Sequence, residues 1–381
     1  MQQIVVESSY GSIWREIMEG IIWFARDRRL AWKINCVTTP ELAGTLKLKP
    51  DGVICLLRQV QRKLVRQLVA SRIPAVNLLR EIHPGVPSVM SNNELIGERA
   101  ADYLHGKGFR RFAFVGVDRV WSDERERGFM RRLAALGETA VRCPISLEVE
   151  GLRAVSGAAA HRELQHWLGE LPRPAALFAC ADFVGAAIIE SAQRAGISVP
   201  EELAILGVDN DLAICDLTPV PLSSIPQNMR RIGFEAARLL DGLMRRRRPV
   251  NSPVKIAPRE VVVRRSTDFI AIENAQVAAA MRHITTTDAG HLDMKGLLRH
   301  VGVSRQWLDR QFREVIGTTP SEEIRRQKLA CARSLLLETH LSVQAVAVRS
   351  GFTRGENLSR FFREHIGISP REFRRRHGFV E

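Results

Sequence analysis

Residues 358–370 read LSRFFREHIGISP, and residues 308–320, fifty positions earlier, read LDRQFREVIGTTP. Eight of the thirteen positions are identical and the others differ mildly. Each copy closes the same frame. A short helical pattern ends in Gly, an apolar residue and Ser or Thr follow, and a second helical pattern begins: LLRHVGVSRQWLDRQF in one copy, VAVRSGFTRGENLSRFF in the other. Gly302 and Gly351 suit the tight turn between two helices. Ser304 and Thr353 suit the N-cap of the second helix. Leu308, Phe312 and Ile316 recur at i, i+4, i+8, as do Leu358, Phe362 and Ile366, so these faces are expected in a core. The opposite faces carry Arg305, Gln306, Asp309 and Arg310 in the first copy, and Arg354, Glu356, Asn357 and Arg360 in the second.

A helix with hydrogen-bonding side chains at its N-terminal end, held by a partner helix, can enter a major groove and read base edges. One such unit covers only a few base pairs. Two, held apart by the long helical stretch around 321–338, would reach successive major grooves roughly 34 Å apart. The expected units span about 292–316 and 342–366, and the expected partner is double-stranded DNA at an operator or promoter. Charge agrees. The 381-residue chain carries a formal net charge of +14, and residues 281–381 hold eighteen Lys and Arg against eleven Asp and Glu. Such an excess favours an anionic partner. Arg374, Arg375 and Arg376 fit phosphate contacts or solvent. The run Arg245–Arg248 ends a helix before Pro249, where positive charge offsets the helix dipole.

The first 265 residues have another rhythm. Apolar runs (IVVES, KINCV, GVICLL, PAVNLL, RFAFVG, AALFAC, LAILGVD) alternate with amphipathic helical stretches. Fully apolar strands separated by helices argue for parallel sheets covered on both faces. The number of such units predicts two doubly wound lobes, giving an α/β region over 1–265, a linker over 266–280 and an all-α region over 281–381. With 45% apolar and 26% charged residues, the composition is globular. No run nears about 18 apolar residues, and MQQIVVESS lacks the basic lead and apolar core of an export signal, so the expected address is the cytoplasm with no membrane partner. Cys36, Cys55, Cys143, Cys180, Cys215 and Cys331 are scattered without CxxC pairs, and read as reduced packing thiols. There is no GxxxxGK[ST], GxSxG, HExxH or GxGxxG after the first strand. Neither catalysis, a metal nor a cofactor is expected.

The tandem units resemble the AraC/XylS family of bacterial transcription regulators over roughly 283–376. The second copy carries the resemblance: Gly351, Phe352, Leu358, Ser359, Arg360, Phe362, Gly367, Pro370 and Phe373 stand at the family's spacing, and Gly355 departs from it. The passages SNNELIGERAADYLHGKGFRRFAFVG and RAGISVPEELAILGVDNDLAICDLTPVPLSSIPQN resemble the periplasmic-binding-protein-like sensor of LacI/GalR repressors. Those repressors carry their DNA-binding helices in front of the sensor, whereas here the reader follows it. That order resembles the xylose-responsive regulators. The resemblance implies a homodimeric regulator, activator or repressor, with RNA polymerase as a further candidate partner, controlled by a small sugar, D-xylose first among pentoses, bound between the lobes. It assigns a sugar-binding arginine to Arg125 and a sugar-binding acid to Asp209. Asp182, just past AALFAC, stands at a comparable strand end, where open α/β sheets place ligands. Carboxylates accept from vicinal hydroxyls and a guanidinium donates to them. Tyr10, Trp14 and Trp121 are candidate stacking residues. The competing readings are an N-cap for Asp182, a turn residue for Asp209, an ion pair for Arg125 and core packing for the aromatics. The usual Asp-Asn pair of the sensor family stands here as Asn92-Asn93. A purine, amino acid or sugar phosphate is the alternative effector.

Overall fold

A computed structural model describes residues 1–8, 12–56, 62–78, 85–145, 148–150, 153–155, 158–245, 253–269, 271–272 and 274–377. The first lobe is a parallel sheet of β1 (Gln2–Glu7), β2 (Trp32–Val37), β3 (Gly52–Cys55), β4 (Ala75–Leu78), β5 (Ser88–Ser91) and the late strand β13 (Val254–Ile256). Its order is β13-β5-β4-β3-β1-β2. Around it lie α1 (Ser12–Asp27), α2 (Thr39–Thr45), α3 (Arg62–Ser71) and α9 (Met229–Met244).

The second lobe is a parallel sheet ordered β12-β11-β10-β6-β7. Its strands are β6 (Phe112–Val115), β7 (Ala140–Arg142), β10 (Ala175–Ala179), β11 (Leu203–Val208) and β12 (Ser223–Ile225). Its helices are α4 (Asn93–Gly106), α5 (Val120–Ala135), α6 (Ala158–Glu170), α7 (Asp182–Arg194) and the single turn α8 (Leu212–Cys215). A small antiparallel pair, β8 (Glu148–Glu150) and β9 (Arg153–Val155), stands apart from both sheets. The inner strands β3, β4, β5, β6, β10 and β11 are buried at every residue, as sheets with helices on both faces require.

The chain passes between lobes three times, after β5, after β12 and after β13, and the crossings are tied to one another. Asn92 N–H donates to the Ile256 carbonyl at 2.8 Å, and Arg259 N–H to the Pro226 carbonyl at 2.9 Å. The stretch from Val254 to Arg265 is therefore split between the lobes. Only Val254–Ile256 joins the first sheet, and Val262 forms an isolated bridge to Ser224 in the second lobe. In each lobe one crossing-linked helix packs at backbone distance on another. A Cβ on Gly20 or Gly233 would overlap the backbone of α9 or α1, and one on Gly97 or Gly128 would overlap that of α5 or α4.

The expected linker is also narrower than 266–280. Ser266 and Thr267 are fully buried in a 3-10 turn: Ser266 Oγ donates to the Ile205 carbonyl at 2.6 Å, and Thr267 pairs with Tyr103 Oη at 2.8 Å. Helix α10 (Ala275–Thr286) then starts at the Asn274 cap. Burial of two hydroxyl residues with partners holds the chain to the second lobe longer than its composition suggests.

Beyond lie α11 (Met294–Val301), α12 (Arg305–Val315), α13 (Pro320–Glu338), α14 (Val343–Arg349), α15 (Gly355–Ile366) and α16 (Pro370–His377), with no strand among the described residues. Two separate cores form. Leu297, Leu308, Phe312 and Ile324 belong to the first; Leu329, Leu336, Val346, Leu358, Phe362 and Phe373 to the second. Helix α13 contributes to both. The duplication reaches the backbone: φ is +73° at Gly302 and +77° at Gly351, and +80° at Gly317 and +81° at Gly367.

The helix contacts give a direct test. Gly128→Ala should cost about 2–3 kcal/mol by overpacking, whereas Gly44→Ala, whose Cβ meets nothing within 4 Å, should be neutral or stabilise by up to about 1 kcal/mol. Urea midpoints of the full chain check this; equal effects at both positions contradict the packing.

Candidate functional sites

In the second sheet the strand order turns back between β6 and β10, and this switch point is where such sheets open a crevice. Arg125, on the helix after β6, fills it with 3% exposure. Its Nε donates to Asn93 Oδ1 at 3.1 Å, and its Nη1 donates to the Cys180 carbonyl just past β10. Its Nη2 stands 3.8 Å from Asp209 Oδ1, beyond hydrogen-bond reach. The guanidinium carbon is 4.7 Å from the centroid of the half-buried Trp121 ring. Burial pushes the Arg125 pKa down, and the Asp209 charge opposes that shift.

Asp209 follows β11 with φ at +114°, and Asn210 with φ at +54°. These are conformations that side chains other than Gly seldom adopt, and such strain gathers at ligand sites. Gln227, on the second crossing, donates from Nε2 to Asp209 Oδ1 at 2.5 Å and accepts at Oε1 from the Ser91 hydroxyl at the end of β5. A hydrogen-bonded path thus joins the carboxyl ends of strands in different lobes, through Ser91, Gln227 and Asp209 towards Arg125. The first lobe has its own switch point between β1 and β3. There Glu7, 1% exposed, accepts from the Thr39 hydroxyl at 2.5 Å and from Leu56 N–H at 2.8 Å.

Asp182 departs from the expectation of a cleft-facing acid. It is 1% exposed and turned into the lobe. It accepts from Asp211 N–H at 2.8 Å, Ser224 Oγ at 2.6 Å and Cys215 Sγ at 3.3 Å, which pins the turn after β11. Burial raises its pKa first and the Asp209 carboxylate raises it further, against the hydrogen bonds it receives. Trp14 is half-buried on α1 and packs against the first lobe's core. Tyr10 lies outside the described residues. Asn93, Gln227, Ser91 and Glu7 join the site without having been singled out as its members. The polar pairs Asn92-Asn93 and Gln227-Asn228, each beside a strand end, were the available signal.

In the first head, Ser304 accepts from Trp307 N–H at 3.2 Å and so caps α12. Arg305, Gln306 and Arg310 are exposed, and Arg305 Nε is 3.7 Å from Asp309 Oδ2. The second head differs. Thr353 does not cap α15; its hydroxyl accepts from Asn357 Nδ2 at 2.8 Å, and Arg354 holds the N-cap position. The free N–H of Gly355 is taken by Gln344 Oε1, reaching from α14 at 2.8 Å. A Cβ at position 355 would stand 2.8 Å from that oxygen, so a larger residue there would have to displace the Gln344 side chain. Arg354, Glu356 and Arg360 are exposed and Asn357 is half-buried. Both heads lead into a capped helix, with Thr319 accepting from Glu322 N–H at 3.3 Å and Ser369 from Glu372 N–H at 3.2 Å. Among the described residues no group of three or more His, Cys, Asp or Glu could hold a metal, and no helix is long and apolar enough to cross a membrane.

Comparison with known proteins agrees with this division. Residues 101–267 match a periplasmic binding protein-like domain, and residues 297–376 a helix-turn-helix domain. The chain is 30% identical over 375 residues to the xylose operon regulatory protein of Escherichia coli K12, covering 94% of this chain and 93% of that one. It is 27% identical over 375 residues to the protein so described in Haemophilus influenzae, covering 94% of each. A solved structure described as the xylose-binding transcription activator xylR superposes with a TM-score of 0.62 at 26% identity, covering 99% of this chain and 98% of that one. These relatives are transcription regulators, not enzymes. A sensor of two parallel α/β lobes followed by duplicated helix-turn-helix units places the chain in the xylose-operon-regulator family of AraC-type transcription regulators.

Proposed function

We propose that this regulator is controlled by a pentose, D-xylose foremost, held between the lobes by Arg125 and Asp209, and that Arg305 and Arg354 lead the base contacts of its two heads. The observation that carries the reading is the Arg125–Asp209 arrangement. Two nitrogens of the guanidinium are committed to fixed partners, and the third faces a carboxylate at 3.8 Å. A hydroxyl entering there would accept from Nη2 and donate to the carboxylate, and neighbouring hydroxyls on one sugar would repeat the pattern. Trp121 supports the guanidinium from beneath. Asp182 serves as a support for Asp209's turn. Whole-length similarity to a xylose-binding transcription activator favours a pentose over a purine, an amino acid or a sugar phosphate. Gln306, Asp309, Arg310, Glu356, Asn357 and Arg360 complete the proposed DNA contacts, with Ser304 and Thr353 at the helix starts. Dimer formation, activation through RNA polymerase and action in the cytoplasm belong to the same proposal.

Binding measurements test the effector reading. In thermal-shift titrations D-xylose should raise the melting temperature, by an amount equivalent to about 2.7 kcal/mol at a hundred times its Kd. Arg125→Lys, which keeps the charge and loses the fork, should weaken that binding on the order of tenfold. A shift with a purine or sugar phosphate and none with any sugar overturns the effector assignment.

On DNA, Arg305→Ala or Arg354→Ala should each cost about 1–3 kcal/mol and relax preference at one base position. Affinity for the operator should also fall steeply with salt. Unchanged sequence preference in both variants removes these arginines as readers.

The raised Asp182 pKa means that folding takes up a proton there. Its contribution to stability is full below about pH 4 and is lost as the pH rises through the folded value. Asp182→Asn should therefore flatten the decline of melting temperature with rising pH, and a pH profile identical to wild type counts against the buried acid.

A further inference from the structure

Glu260 lies on the third crossing between the lobes, just past β13. Its Oε1 is buried and, among the described residues, makes no hydrogen bond. Two arginines flank that one oxygen: Nη1 of Arg99 on α4 at 3.7 Å, and Nη2 of Arg333 on α13 at 3.5 Å. Both distances mark ion pairs too long for hydrogen bonds. The Nε of Arg333 is likewise buried without a hydrogen-bond partner. Folded proteins seldom leave such groups unmade side by side. Arg99 is anchored to the crossing itself, donating to the Pro258 carbonyl at 2.7 Å and the Arg259 carbonyl at 3.2 Å.

Arg333 leads away from the sensor. Its guanidinium carbon is 6.0 Å from the centroid of the Phe373 ring, and Phe373 meets Phe362 of α15 edge-on at 5.1 Å. A contiguous path of packed side chains thus runs from a hinge segment to the core face of the second reading helix. The first head is held differently. Arg110, between α4 and β6, donates from Nη2 to the Val315 carbonyl at the end of α12, at 3.1 Å, and its Nε is 3.3 Å from Glu138. Ala271 N–H donates to the Lys107 carbonyl at 2.9 Å beside it. One head is tied to a lobe and the other to a hinge.

We propose that Glu260 is the positioning residue that couples the effector site to DNA, a role resting on the sugar-responsive reading above. When the lobes close, the third crossing turns and the shared carboxylate commits to one arginine. Arg333 carries that choice into α13 and through Phe373 to Phe362, so the two heads, which α13 holds together, turn as one unit about the first head's tether to its lobe. Hinges concentrate the backbone change of a domain closure, and an effector acts only through the difference in free energy it creates between two such states.

The test uses the full chain and a duplex that the wild type selects from a random library. DNA affinity is measured with and without saturating D-xylose for wild type, Glu260→Gln, Arg333→Gln and the double variant, with D-xylose affinity measured separately without DNA. The ratio of the two DNA affinities should collapse towards one in each single variant, and the double variant should be no worse than either. D-xylose affinity should stay within about threefold of wild type, which a merely structural defect would not spare. A single variant that keeps the full wild-type ratio overturns the proposal, as do losses that simply add. If D-xylose changes nothing in the wild type, the effector reading has failed, and the same cycle on DNA affinity without sugar decides the contact: non-additive losses support it and additive losses overturn it.

Discussion

Leu308 and Phe312, and fifty residues later Leu358 and Phe362, are fully buried, and all four press into cores that share one helix. Each such side chain contributes about 1.5–3 kcal/mol by leaving water, so neither head can shift on α13 without losing several of these contributions together. The first core takes Ile324 from that helix and the second takes Leu336. The second core also takes Leu329, so the two sets of anchors lie five to twelve residues apart on the helix, about 7.5–18 Å along its axis. The spacing between the two reading surfaces is therefore a property of packing. Positive φ values at matching glycines show that both heads use the same turn chemistry to reach the same shape.

The sensor obeys a comparable logic. Each lobe is an open parallel sheet with a switch point, and each switch point is bridged by one buried charged side chain, Glu7 in the first and Arg125 in the second. Glycines bring α1 onto α9 and α4 onto α5 at backbone distance. These contacts leave the crossings as the place where one lobe can turn on the other. The strained Asp209–Asn210 pair, Gln227 and Glu260 all stand at or beside those crossings. The proposed effector site and the hinge are built from the same short stretches of chain.

What the sequence disclosed follows the range of the interactions concerned. Period and capping are local, so the two heads, the glycine turns and the Ser304 cap were legible from spacing. Thr353 was not, because the oxygen that takes the first N–H of α15 belongs to Gln344 on the preceding helix. Asp182 stands at a strand end as a ligand acid would, yet its partners arrive from Asp211, Cys215 and Ser224. Nothing in a linear reading tells which way that later segment returns. Glu260, Arg99 and Arg333 are distant in sequence and each looks like an ordinary surface charge. The tether was overestimated for the same reason, since Ser266 and Thr267 suggest a linker by composition and are buried by partners far upstream.

Two rigidly spaced heads of one chain are expected to lie along one face of a duplex. Hydroxyl-radical footprinting of the chain on a duplex that it selects from a random library decides this. The expected pattern is two protected patches per chain on the same face, one helical turn of about 10–10.5 base pairs apart. A single protected groove per chain, or two patches on opposite faces of the duplex, would contradict it.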